Sequence, residues 1–255
     1  EFRRVLFRSI LFQKKFVTLQ RKWRKKKNFL KPEFCQRRNK SYLCDVIKYS
    51  SFRYIYPPRP EVNLPSYELS KYDNGLWLGQ PKLNGSNLVI FTNGTELCLY
   101  NRHNDIMSGI KMKDHEFLSL HRGDGWIVLN GEYMNKSKND ANGQIFNHKL
   151  VIFDILVYNG VQTIGMDFVS RVELLNKLYP SVNHDGYINK VDNNIFKVKS
   201  FDKGFNEIYQ KITQIDMYEG WVLKKKSTKL KNGLSEKNNT DGQLKFRKPT
   251  KNYNY

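Results

Sequence analysis

Nowhere in the 255 residues is there an apolar run of about 18, the length a membrane-crossing helix needs. The best stretch, residues 150–158, is broken by Asp154, so a helical membrane span is excluded. Cysteine is scarce as well. Cys35, Cys44 and Cys98 form no Cys-x-x-Cys pair, and an odd number of thiols cannot all be bridged. That argues against a disulfide scaffold and a zinc ribbon and fits a reducing setting, the cytoplasm or a virus-infected host cell. Acids are outnumbered, 24 against 44 Lys and Arg, which leaves a net charge of +20. Alanine occurs once, at Ala141, in a chain otherwise rich in Lys, Asn, Ile, Phe and Tyr.

The basic surplus is unevenly placed. Residues 1–50 hold 16 Lys and Arg against 3 acids, and the remaining chain is only mildly basic. Residues 1–9 back-translate readily into a restriction site followed by an adapter sequence and do not share the AT-rich bias of the rest. They are read as a cloning or assembly scar and carry no functional argument. Residues 10–66 read as a basic extension followed by a Pro-rich linker. The extension contains Arg21-Lys22-Trp23-Arg24-Lys25-Lys26-Lys27, and the linker contains Pro57, Pro58, Pro60 and Pro65. Such a cation cluster is either a solvated tail or an arm that gains affinity for nucleic acid by releasing phosphate counterions. The folded body is expected over residues 67–255. Aromatics at 14% and hydrophobics at 39% supply a core.

Within that body, residues 87–100 present two apolar stretches around Asn93-Gly94, a tight-hairpin pattern. Further strands are predicted at 126–133, 149–157, 194–199, 220–224 and 243–247. Helical spacing places Phe168, Val172, Leu175 and Tyr179 on one stripe of a helix over 166–179, with Asp167 or Ser170 as its cap. A second helix is expected within 201–217, from Phe205, Ile208, Ile212 and Ile215. Residues 227–241 read as a polar, mobile loop. Hairpins interspersed with helices, without βαβ regularity, indicate an α+β class.

The chemistry concentrates in an ordered series. Lys82-Leu83-Asn84-Gly85-Ser86-Asn87 stands at the entrance to the hairpin, and Arg102 follows its second strand. Gly131-Glu132 ends the next strand, and Phe153-Asp154 lies inside an apolar one. Glu219-Gly220-Trp221-Val222 opens another strand, and Lys245-Phe246-Arg247 closes the set. A Lys-x-x-Gly alone is weak; the ordered set is specific. Lys245 and Arg247, two apart on a predicted strand, can face one side. His103, His115, His121, His148 and His184 show no metal-ligand spacing.

This set resembles the covalent nucleotidyltransferase superfamily, which comprises ATP-dependent DNA ligases, RNA ligases and messenger-RNA capping guanylyltransferases. The resemblance spans roughly residues 67–248. It implies two mainly antiparallel sheets with flanking helices, holding a nucleotide in the groove between them. Many relatives continue into an OB-fold or helical domain. This chain stops just after the last motif, so no OB-fold is expected within it, whether it lacks that domain or is a fragment. By that resemblance Lys82 is the nucleophile that becomes a lysyl-nucleotide. Lys245 and Arg247 are the paired cations of the last motif. Arg102, Glu132, Phe153, Gly85 and Asn84 form the nucleotide site, with Glu132 on the ribose hydroxyls and Phe153 stacked on the base. Glu219 helps hold Mg²⁺ or Mn²⁺. Core packing is the competing reading for Phe153 and a surface charge for Arg102, while Asp154 is a structural or metal-linked acid. Glu236, in the polar loop, belongs to no motif.

Asn84 departs from the aspartate usual in DNA ligases and capping enzymes. Ser86-Asn87-Leu88 lacks the arginine that DNA ligases carry after the glycine. Both departures tilt the reading toward an ATP-dependent RNA-ligase-like enzyme acting on nicked or broken strands in nucleic acid repair, expected as a monomer with no membrane partner. An ATP-dependent DNA ligase, a GTP-using capping enzyme and a degenerate nucleotide-binding module stay open.

Overall fold

The computed structural model describes residues 54–181, 186–231, 233 and 235–249, all within the compact unit Val46–Tyr255. The scar and the basic extension up to residue 53 lie outside the described residues. Among the described residues eleven strands form two sheets. The smaller takes the order β1 (Arg59–Asn63), β11 (Asn239–Arg247), β10 (Tyr218–Lys225) and β2 (Trp77–Leu83). The larger takes the order β4 (Leu97–Tyr100), β3 (Ser86–Thr92), β5 (Ile127–Met134), β6 (Lys149–Tyr158), β9 (Ile195–Val198) and β8 (Ile188–Asp192), with β7 (Val161–Gln162) pairing β6. Pairing is antiparallel except between β1 and β11 and between β6 and β9. Among the described residues no helix is long and apolar enough to cross a membrane.

The central strand β6 shows why its sequence reads as a near-continuous apolar run. It has a strand on each side and an apolar cluster against each face. Leu150, Ile152 and Ile155 pack with Leu175 of helix α2 (Phe168–Leu178) and with Tyr179, the residue that follows it. Val151 instead joins the cluster built on Trp221, Leu223 and Phe246 of the small sheet and Phe205, Tyr209 and Ile212 of helix α3 (Phe205–Ile212). Asp167 caps α2 by accepting from the Ser170 N–H at 2.8 Å. A five-residue helix α1 (Asp114–Leu118) and a 3-10 helix over Ser66–Tyr72 complete the body.

Three readings change. The Pro-rich stretch taken as linker contains β1, and Tyr54 and Ile55 are buried beside Phe91 and Val128. Proline is tolerated there because among the described residues β1 is an edge strand, paired with β11 on one side. Residues 227–241 are not one loop: Leu230 is buried, Asn238 donates its side-chain amide to the Tyr56 carbonyl at 2.6 Å, and β11 begins at Asn239. The hairpin turn is longer than two residues. Asn93 Oδ1 accepts from the Thr95 and Glu96 N–H groups at 3.0 and 2.7 Å, and Gly94 takes a φ of 92°.

Candidate active site

Register in the small sheet arranges the site. Lys82 lies opposite Gly220, which lies opposite Arg247; on the next rung of that face Gln80, Val222 and Lys245 align; on the one after, Leu78, Lys224 and Gln243. Side chains two apart share a face, so these rungs stack Gln80, Lys82, Lys224, Gln243, Lys245 and Arg247 on one side of the sheet. Gly220 sits at the centre with a φ of 149°, and a Cβ there would lie 1.9 Å from the Phe246 carbonyl oxygen. No other residue fits between Lys82 and Arg247. Across the groove, the large sheet contributes Asn87, Asn130, Glu132 and Phe153.

These residues line a cleft of about 770 Å³. Its lining carries six cations, Arg59, Lys82, Arg102, Lys224, Lys245 and Arg247, against two carboxylates, Glu132 and Glu219. Such a surface suits an anionic ligand. Lys82 pairs with Glu219, and Arg247 Nη2 stands 3.8 Å from the same carboxylate oxygen. Burial pushes the Lys82 ammonium down to about 8, helped by Arg247, Lys245 and Arg102 and opposed by Glu132. Lys245 is lowered too, by burial and by Arg247 and Arg102.

Glu132 accepts from the Gly85 N–H at 3.2 Å, and Gly85 cannot carry a side chain because a Cβ would lie 2.5 Å from the Tyr133 carbonyl oxygen. Burial raises the Glu132 carboxyl to about 7, with Lys82, the Gly85 N–H and Arg102 pulling the other way. An acid whose folded pKa lies above its unfolded one stabilises the fold below the unfolded value and loses that contribution as pH rises through the folded one. Unfolding titrations should therefore show wild-type stability falling relative to Glu132→Gln between about pH 4.5 and pH 7, by on the order of 1–3 kcal/mol. Parallel profiles for the two proteins would refute the raised carboxyl.

Phe153 faces the cleft with part of its ring exposed, so packing does not account for it fully. Behind it Lys224 Nζ lies 4.9 Å from the Phe153 ring centre and 4.7 Å from that of Phe168. Asp154 points away from the cleft into a buried bidentate pair, accepting from Arg171 Nε at 2.8 Å and Nη2 at 3.2 Å. Its role is structural. Asn84 is not in the cleft lining, and its N–H donates to the Met217 carbonyl at 3.0 Å. Asn87, two residues past Gly85, does line it and donates to Asn130 Oδ1 at 2.9 Å. Among the described residues no group of three or more His, Cys, Asp or Glu could hold a metal ion.

Sequence reasoning missed Lys224, Gln80, Gln243, Asn130 and Arg59. Lys224 was within reach, since period-two alternation from Gly220 puts it on the same face. Arg59 had no local signal, because it arrives through a parallel pairing of β1 with β11 across most of the body.

No protein-family profile matches this sequence, and no curated protein does. Solved structures do match. A mycobacterial DNA ligase D complexed with ATP and MES aligns with a TM-score of 0.53 at 15% identity, over 76% of this chain and 60% of that one. The ligase domain of LigD from M. tuberculosis aligns with a TM-score of 0.52 at 13% identity, over 76% and 59%. The chain thus spans about three-fifths of the length of these relatives. It shares the fold of these ligase domains, an α+β body of two mainly antiparallel sheets with few helices.

Proposed function

We propose that this chain is an ATP-dependent polynucleotide ligase, closer to RNA ligases, that seals 5′-phosphate to 3′-hydroxyl ends through a lysyl-AMP at Lys82. The observation that carries the reading is one half-buried lysine, pushed down to about 8 and held against Glu219, on the same sheet face as Lys245 and Arg247. In the first step Lys82 Nζ, having lost its proton, attacks the α-phosphorus of ATP. A P–N bond forms and pyrophosphate leaves, with Lys245 and Arg247 beside the developing charge. Glu132 binds the ribose hydroxyls and Phe153 stacks on the base. The adenylyl group then passes to a 5′-phosphate, and attack by a 3′-hydroxyl closes the strand and releases AMP.

Glu219 is the carboxylate placed to hold Mg²⁺ or Mn²⁺. Such an ion would take its remaining ligands from phosphates and water. When bound, the metal would shield phosphate charge. The RNA-ligase leaning is supported by Asn87, an amide in the cleft where DNA ligases usually carry arginine. The basic run at 21–27 adds phosphate contacts on the strand.

Incubation with labelled ATP followed by denaturing electrophoresis tests the reading. Covalent label from ATP is expected. Label from GTP alone would select a capping enzyme, and label from neither would select a binding module. Sealing assays on nicked RNA and nicked DNA then decide the strand.

Glu219→Ala should lower covalent labelling by on the order of a hundredfold. Glu173→Ala, on the exposed side of α2, should leave it unchanged. Glu236 does not serve as that control, because it pairs with His103 at the cleft rim. Equal losses in the Glu219 and Glu173 variants would remove Glu219 from the site.

A further inference from the structure

We infer that His103 is a positioning residue that fixes the side-chain direction of Arg102, and that Glu236 sets the tautomer with which it does so. The inference rests on the reading in which Arg102 meets the nucleotide. Arg102 and His103 ride on a turn after β4 whose backbone is held by Asn101. The Asn101 Oδ1 accepts from the His103 and Asp105 N–H groups at 2.7 and 3.1 Å, and its amide donates to Asp105 Oδ2 at 3.0 Å. Asn104 takes a left-handed φ of 71°, closing the turn. The turn sets where Arg102 starts but not where its guanidinium points. A long exposed arginine carries about 2 kcal/mol of rotamer entropy and does not hold one direction unaided.

The direction comes from its neighbour. Arg102 Nε donates to His103 Nε2 at 3.1 Å. A ring nitrogen that accepts carries no hydrogen, so the ring proton sits on Nδ1, where it donates to Glu236 Oε1 at 2.6 Å. Arg59 closes the cluster. Its Nη2 donates to the Arg102 carbonyl at 3.2 Å and stands 3.9 Å from Glu236 Oε1. Three segments distant in sequence, β1, the turn after β4 and the residues before β11, therefore meet at the Glu236 carboxylate. With Nε engaged, the guanidinium presents its terminal amino groups as a fork, the geometry that suits phosphate oxygens.

A double-mutant cycle on covalent labelling by ATP reads the coupling. His103→Ala should slow labelling by on the order of tenfold to a hundredfold, as expected for a displaced clamp. Arg102→Ala should slow it at least as much, and the double variant should be no slower than Arg102→Ala alone. His103→Gln, whose amide oxygen can accept from Arg102 while its NH₂ donates to Glu236, should recover most of the rate. Losses that multiply in the double variant, or a wild-type rate in His103→Ala or Arg102→Ala, would overturn the inference. Nitrogen-15 spectra of the His103 ring judge the tautomer without any enzymatic readout. The Nδ1–H form should dominate in the wild type and give way to a mixture in Glu236→Ala. An unchanged ring in that variant would overturn the role of Glu236 even in a protein that labels normally. A wild type with the expected ring that takes no label from ATP would instead refute the ligase reading.

Discussion

Lys82→Ala and Lys82→Arg should each abolish covalent labelling by ATP, a loss on the order of a thousandfold or more. Alanine removes the nitrogen. Arginine keeps a charge, but a guanidinium does not give up its proton and cannot attack phosphorus. The test is sharp because the cleft holds a second amine of similar character. Lys224 is buried where Lys82 is half-buried, and burial pushes it too down to about 8, with Asp154 opposing that shift and Arg171 adding to it. Its surroundings differ. Lys224 lies against the Phe153 and Phe168 rings, whereas Lys82 lies among Glu219, Arg247 and Lys245, the groups suited to a metal-bound triphosphate. Labelled protein digested and mapped should carry the nucleotide on the peptide with Lys82. Label that survives in Lys82→Ala and disappears in Lys224→Ala would move the nucleophile two rungs along the sheet and dismantle the proposed site.

The largest effect on stability is expected at Asp154. Burial disfavours its charge, but Arg171 and Lys224 more than offset this and hold the carboxyl below its ordinary range. The Asp154 and Arg171 side chains are 1% and 2% exposed, so the pair has almost no water to fall back on. Asp154→Asn leaves two buried cations facing a neutral amide, and breaking such a pair costs about 3–5 kcal/mol. For a body of this size that lowers the melting temperature by roughly 6–20 °C, at about 2–4 °C per kcal/mol. Arg171→Met should cost less, since Asp154 then keeps Lys224. Thermal unfolding of the two variants checks both the size and the order. A loss below about 1 kcal/mol for Asp154→Asn, or the reverse order, would mean that solvent reaches the pair.

How much of this was legible beforehand depended on the range of the interaction involved. The strands over 126–133 and 149–157 and the helix over 166–179 came through because their apolar spacing is local, and α2 begins at the Asp167 cap its composition suggests. Lys82, Glu132, Glu219, Lys245 and Arg247 were legible as an ordered series, and register brings Lys82, Lys245 and Arg247 onto one sheet face. Asp154 could not be assigned from its run of apolar neighbours, because its partner Arg171 sits on a helix 17 residues on. The prolines misled: Pro57 to Pro65 look like a linker, yet an edge strand asks nothing of the proline nitrogen. The polar residues 235–238 misled in the same way, since what places Glu236 is a histidine 133 positions earlier.

Strand β2 has a mechanical consequence. The chain passes from the small sheet to the large one through Asn84 and Gly85 alone, directly after β2. It comes back through residues 199–217, and there Phe201 exchanges backbone hydrogen bonds with Gly79 of β2 at 2.7 and 2.9 Å. Both crossings are thus fastened to the same seven-residue strand, which acts as the spine of a book whose covers are the two sheets. The opposite edge is clasped as well: Arg59 of β1 donates to the Arg102 carbonyl, and Glu236, just before β11, pairs with His103. Lys82 sits on that spine, while Phe153 and the turn carrying Arg102 belong to the far cover. Any opening must therefore first undo the clasp at the Arg102 turn, while Lys82 stays where both crossings hold it.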